Sequence, residues 1–240
     1  MSNSSSTLLE ARNVHRRFSL LKNQVEVLRG VDLSIAKGEA VSIMGASGAG
    51  KSTLLHILGG LDRPSEGTVL FQGQDLYRLS ANRRTECRAT SFGFVFQSYH
   101  LLPELSIEEN VLLPVMHRLN WLQQANHYRA QARELLKQVG LADRSAHRPM
   151  ELSGGEQQRA AIARALISEP EIVFADEPTG NLDSQTGELV LQHLFSLTQD
   201  QGNTLVLVTH NDGVAARCNR VVEMKDGQIE KDTGRTAEAG

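Results

Sequence analysis

Cysteine, aromatic residues and long apolar runs are all scarce in this chain. Two cysteines occur in 240 residues, Cys87 and Cys218. They lie far apart and outside any CxxC or Cys–His spacing, which argues against a disulfide framework or a zinc site and fits a reducing compartment. No stretch approaches the roughly 18 consecutive apolar residues of a membrane-crossing helix, so any membrane role must come through a partner. Residues 1–7 are polar and Ser-rich, without the charged start and apolar stretch of a secretory signal. An excess of charge is missing too: 25 Lys and Arg stand against 28 Asp and Glu, a net charge of −3. No overall basic field therefore draws the chain to nucleic acid or anionic lipid, and Arg83, Arg84 and Arg88 read as a solvated face. These absences predict a cytoplasmic protein.

What is present suits an α/β protein. Hydrophobic residues make up 40% and charged residues 22%, ordinary values for a chain that buries a core. Residues 8–14 and 25–35 alternate as strands do, with an irregularity at Arg29-Gly30. Residues 40–44 form an apolar run of the kind buried on both faces of a sheet. Residues 52–58 predict a helix ended by Gly59-Gly60, and 68–71 and 92–96 predict further strands. Up to residue 97 the chain thus reads as strands and turns with one helix. Residues 106–168 are mainly helical in pattern. There Ala125, Tyr128, Ala132, Leu135 and Val139 make one apolar stripe closed by Gly140, and a second helix from Gly154 to Ile167 stops before Pro170. Strand–helix alternation then returns, with strands at 172–175, 204–208, 220–224 and 228–231 and a helix at 186–199. This order predicts a largely parallel sheet with helices on its faces and a helical insertion.

Three stretches carry chemistry. Gly45 to Ser52 matches G-x4-G-K-S between a strand and a helix. Glycines let successive N–H groups converge on one anion, and the helix start adds partial positive charge. Lys51 would reach the terminal phosphates and the Ser52 hydroxyl would ligate Mg²⁺. Asp176 ends the apolar strand 172–175, placed to hold Mg²⁺, and Glu177 follows it, placed to orient and deprotonate an attacking water. Gln97 ends the strand 92–96; its amide could reach Mg²⁺ or the lytic water, or simply be solvated. His210 follows the strand 204–208 on the same nucleotide edge, where a γ-phosphate contact is favoured, while His100 and His147 read as surface or packing residues. Between loop and acidic strand stands Leu152-Ser153-Gly154-Gly155-Glu156. In isolation it is a helix start with Ser153 as N-cap and Glu156 closing a capping box.

Together these residues resemble the ATP-binding-cassette (ABC) ATPase family over nearly the whole chain. Asn181-Leu182-Asp183 stands where that family has its D-loop, and Phe18 where an aromatic ring stacks on adenine. The resemblance implies a P-loop NTPase (RecA-like) core with a mostly parallel sheet and an antiparallel β subdomain, 1–97 and 169–240, and a helical signature subdomain, 98–168. It implies ATP and Mg²⁺ as cofactors, with Phe18, Gly45, Ser47, Gly48, Gly50, Lys51, Ser52, Thr53, Ser153, Gly154, Gly155 and Asp183 at the nucleotide. Ser52, Gln97 and Asp176 would hold the metal, and Glu177, His210 and Gln97 would act in hydrolysis.

The family pairs two cassettes head to tail on ATP. The resemblance thus implies an ATP-dependent homodimer or paired cassette, with Ser153 and Gly155 of one chain on the γ-phosphate held by the other. It also implies separate integral membrane permease subunits as partners, no nucleic acid, no direct membrane insertion, and a place on the cytoplasmic face of a bacterial inner membrane. Leu58 to Asp62, Tyr99 to Pro103, Glu109 to Val111 and His147 to Pro149 narrow the resemblance to cassettes that power lipoprotein release from that membrane. The stretch Ala175 to Asp183 is shared more widely, which keeps efflux and regulation of cell-wall hydrolysis as alternatives. Phe18 lacks the hydroxyl of the commoner tyrosine, and Asn211 replaces the commoner acid.

Overall fold

In chain order the elements are β1 (Thr7–Leu20), β2 (Asn23–Ala36), β3 (Ala40–Met44), α1 (Lys51–Leu58), β4 (Glu66–Phe71), β5 (Gln74–Asp75), α2 (Ala81–Ser91), β6 (Phe92–Phe96), α3 (Ile107–Met116) and α4 (Trp121–Gln138). There follow α5 (Gly154–Leu166), β7 (Ile172–Asp176), α6 (Ser184–Asp200), β8 (Thr204–Val208), α7 (Asp212–Ala215), β9 (Arg220–Lys225) and β10 (Gln228–Asp232). The structure is a computed structural model that describes residues 7–20, 23–118 and 121–234. They fall into two compact units, residues 1–85 with 204–240, and residues 86–203.

In the first unit β2, β1, β4 and β5 form an antiparallel sheet in that order. Alternation decides which face is buried: Leu9, Ala11 and Val14 of β1 and Leu28, Val31, Leu33 and Ile35 of β2 are all within the core. The irregularity expected at Arg29-Gly30 is a bulge, since Val14 pairs with Val31 but His15 pairs with Arg29. Gly30 is left over with φ 75°, a conformation that glycine adopts without steric cost. The same unit holds a parallel run in which β3 lies between β8 and β9, with β10 antiparallel on the outer side of β9. Helix α1 packs against β8, β1 and β2. Arg220 on β9 joins these pieces, pairing with Asp232 at 2.6 Å and donating to the Ser34 carbonyl at 2.8 Å.

In the second unit β6 and β7 pair in parallel, bringing Phe96 opposite Asp176. Their inner rings, Phe92, Phe94 and Phe174, stack or meet edge to face at 5.4 Å. Helix α5 lies directly on β6, and Gly93 permits this approach: a Cβ there would lie 2.4 Å from the Ala165 carbonyl oxygen. Helices α3, α4 and α6 pack around α5. The stripe expected on α4 is present, with Tyr128, Ala132, Leu135 and Val139 buried and Gly140 at φ 71° ending the run. Asn110 of α3 is fully buried and secures the preceding loop, accepting from Leu102 N–H and donating to the Leu102 carbonyl.

One sequence expectation fails. The chain before residue 97 has two helices, because residues 81–91 form α2. None of its residues is buried, so it has no apolar stripe for periodicity to detect. Of the three arginines expected on a solvated face Arg83 is exposed, whereas Arg84 and Arg88 are half-buried, Arg84 standing over the Tyr77 ring at 5.9 Å. Among the described residues no helix is long and apolar enough to cross a membrane.

Candidate nucleotide site

The phosphate loop follows from β3, whose first four residues are buried. Immediately after it the chain must turn sharply and pass close to other backbone. Gly45 has φ 149°, and a Cβ there would lie 2.2 Å from the Met224 carbonyl oxygen on β9. Gly50 has φ 98°, and its Cβ would come within 3.0 Å of the Val27 carbonyl. Gly48 has φ 81° with open space where its Cβ would be. The crest of the loop, Ala46, Ser47 and Gly48, is exposed, while Ser52 and Thr53 are half-buried.

Lys51 is buried at 8% exposure, and its Nζ donates to the carbonyls of Gly45 at 2.9 Å and Ala46 at 3.0 Å. The ammonium is thus folded over the loop whose backbone surrounds it. Helix α1 begins at Gly50 with no side-chain cap hydrogen bond. In contrast, α3, α5, α6 and α7 start with a Ser, Asp or Asn side chain that accepts from the first-turn N–H groups. A helix start of this kind suits a ligand anion in the capping role.

His210 reaches the same region. After β8, Thr209 N–H donates to the Ile43 carbonyl at 3.2 Å, which ties the segment to β3. His210 then lines a hollow of about 640 Å³ together with Gly45 to Ala49 and Asp212. Asn211 caps α7 through the N–H groups of Gly213 and Val214, a task an amide oxygen performs as well as a carboxylate. Phe18 lies on β1 and is 37% exposed. It is not among the residues lining that hollow, and the Arg16 guanidinium sits 4.3 Å from its ring centroid.

The second unit gathers the remaining residues around the ends of β6 and β7. Because Phe96 pairs with Asp176, Gln97 and Glu177 leave the two strands at the same level. Gln97 Nε2 donates to Asn181 Oδ1, and Asn181 Nδ2 donates back to the Gln97 carbonyl, both at 3.1 Å. A Cβ at Gly180 would lie 2.6 Å from Gln97 Nε2, so this glycine makes room for the amide pair. Glu177 has φ 45°, a left-handed conformation that costs a residue with a Cβ on the order of 1 kcal/mol or more. Asp183 caps α6, and the hydrogen bonds from Thr186 hold its carboxyl below the usual range.

Ser153 caps α5 in the expected box: Glu156 N–H donates to its Oγ, while Ser153 N–H and Oγ–H both donate to Glu156 Oε2 at 2.8 Å. Those bonds, the backbone one foremost, hold the Glu156 carboxyl low. The next two glycines are demanded by packing within the chain. A Cβ at Gly154 would lie 2.7 Å from Tyr99 Oη, and one at Gly155 would lie 2.1 Å from Thr186 Cγ2.

Sequence reasoning missed two contacts here. Tyr99 and His100 are consecutive left-handed residues, φ 57° and 49°, and their carbonyls accept from Arg164 of α5. Burial pushes the Arg164 guanidinium down to about 10. Gln158, also on α5, is fully buried and donates to the Pro178 carbonyl at 2.7 Å. Each is a contact between distant residues, and no local pattern announces it.

A glycine loop with a buried lysine at a helix start, and an acidic pair at a strand end, define the nucleotide-hydrolysing P-loop class. The chain belongs to the ABC transporter family, whose model matches residues 28–180. It is an ATPase cassette of that family. The lipoprotein-releasing system ATP-binding protein LolD of Geobacter metallireducens is 47% identical, over 95% of this chain and 100% of its own. LolD of Syntrophus aciditrophicus is also 47% identical, over 92% of this chain and 98% of its own. The macrolide export ATP-binding/permease protein MacB of Wolinella succinogenes is 50% identical over 92% of this chain, which spans only 34% of that relative's length. Among solved structures, the dimeric post-hydrolysis state of the ATP-binding cassette MJ0796 bound to ADP and Pi superposes with a TM-score of 0.87. The two are 41% identical, over 94% of this chain and 97% of that one.

Proposed function

We propose that the chain is the ATP-hydrolysing subunit of a transporter that releases lipoproteins from a bacterial inner membrane, acting as a pair of cassettes beneath separate permease subunits. What supports this most is the match to LolD proteins along almost their entire length. The 50% identity to a MacB protein supports a second reading, the ATPase portion of an efflux system. Purifying the chain with its membrane partners and assaying both cargoes separates the two: release of lipoprotein supports the first, and movement of macrolides alone rejects it.

In the proposed reaction Lys51 and the N–H groups of Gly45 to Thr53, with Ser47 at the exposed crest, hold the phosphates, and Phe18 carries the adenine. Glu177 orients the attacking water and takes its proton as the water oxygen bonds to the γ-phosphorus and the bond to the β-phosphate oxygen breaks. His210 steadies the γ-phosphate. Mg²⁺ suits the oxygen donors Ser52, Asp176 and Gln97. With Gln97 Nε2 engaged by Asn181, its Oε1 is the donor left for a cation. When bound, the metal supplies neutralisation of phosphate charge.

Ser153, Gly154 and Gly155 of a second copy complete the site, with Asp183 of the Asn181-Leu182-Asp183 loop at the nucleotide as well. The dimeric MJ0796 cassette supports this pairing. Driving a two-state element from about 1:99 to 99:1 takes roughly 5.5 kcal/mol of differential binding, and a γ-phosphate held by both copies only when closed could supply it. Glu177→Gln is expected to bind ATP but stall, accumulating a dimer visible by light scattering. Turnover at the parental rate would show that Glu177 is not the base.

A further inference from the structure

The body of the signature helix makes a contact that its N-terminal role does not explain. Gln158 sits on the second turn of α5 at 0% exposure. Its Nε2 donates to the Pro178 carbonyl at 2.7 Å, while its Oε1 is buried with no hydrogen-bond partner among the described residues. An amide with one unmet acceptor is a poor choice for packing, since leucine or methionine would fill similar space without that desolvation cost. The amide's gain is a single bond to the residue after Glu177.

That bond falls where the backbone most needs restraint. Glu177 is left-handed at φ 45° and precedes a proline, whose ring further narrows its choices. Such a conformation persists where its surroundings fix it. Gly180 N–H donates to the Glu177 carbonyl at 3.0 Å, closing the turn on itself, and Gln158 grips the carbonyl in the middle of it.

We propose that Gln158 is a positioning residue for hydrolysis, locking the Glu177–Gly180 turn from α5 so that the Glu177 carboxylate keeps the direction the reaction needs. This rests on Glu177 being the group that activates water. It also joins the helix whose first turn meets one nucleotide to the catalytic turn of the same chain.

The test is Gln158→Leu in the full chain, with Glu177→Gln alongside. Gln158→Leu loses the unmet Oε1 but also takes this donor from the buried Pro178 carbonyl, so it should melt within a few degrees of the parent and keep its KM for ATP, while kcat falls about tenfold. Gln158→Glu should show a kcat that recovers toward the parent as pH falls, because the neutral carboxyl can donate to the Pro178 carbonyl and the carboxylate cannot. An unchanged kcat in Gln158→Leu overturns the proposal. If Gln158→Leu melts early, the Gln158→Glu profile decides, and no recovery at low pH also overturns it. Parental turnover by Glu177→Gln would instead remove the premise about Glu177, whereas a stalled Glu177→Gln beside a fully active Gln158→Leu rejects the positioning role alone.

Discussion

Three glycines shape the phosphate loop, and each is glycine for a different reason. At Gly45 the obstacle is backbone, the Met224 carbonyl, which has little freedom to move away. At Gly50 the Val27 carbonyl and a leucine side chain share the contact, and at Gly48 the positive φ alone disfavours a side chain. Gly45→Ala should therefore displace the loop, lowering both the melting temperature and ATP affinity. Gly48→Ala should cost about 1 kcal/mol of stability, the price of a left-handed alanine. Thermal melts and equilibrium nucleotide titration of the two variants check this, and equal effects would contradict the distinction. At this scale the sequence was highly legible, because the loop's residues are neighbours in the chain. Gln158 and Arg164 were illegible for the opposite reason: their partners are residues 178, 99 and 100.

Among the elements, α5 could be read almost completely from its sequence. The Ser153–Glu156 box, the run to Leu166 and the stop before Pro170 are all local features. Helix α2 escaped because a helix with no buried residue has no periodic signature. The cap of α5 carries a pH dependence whose sign follows from the lowered Glu156 carboxyl. Folding favours the ionised form, so its contribution is complete above the unfolded-state pKa and is lost as pH falls through the lower folded value. Glu156→Gln preserves the shape of the box without the charge. Its melting temperature should trail the parent's near neutral pH, and the gap should narrow as the pH falls below the ordinary carboxylate range. A gap independent of pH would assign the effect to packing.

For the whole molecule, the expected strand–helix order returned as a parallel run in one unit and a parallel pair in the other, with helices α3, α4 and α5 making the middle third. The proposed pairing of two copies is a property that no single-chain feature could display. Ser153→Arg should leave ATP binding to the monomer largely intact while abolishing the ATP-dependent dimer in light scattering. Dimerisation at the parental level would remove Ser153 from the interface.

Lys51 has a consequence for the loop itself. Its ammonium rests on the carbonyls of Gly45 and Ala46, so the side chain braces from within the arch it belongs to. Removing that charge would therefore slacken the arch as well as weaken its grip on an anion.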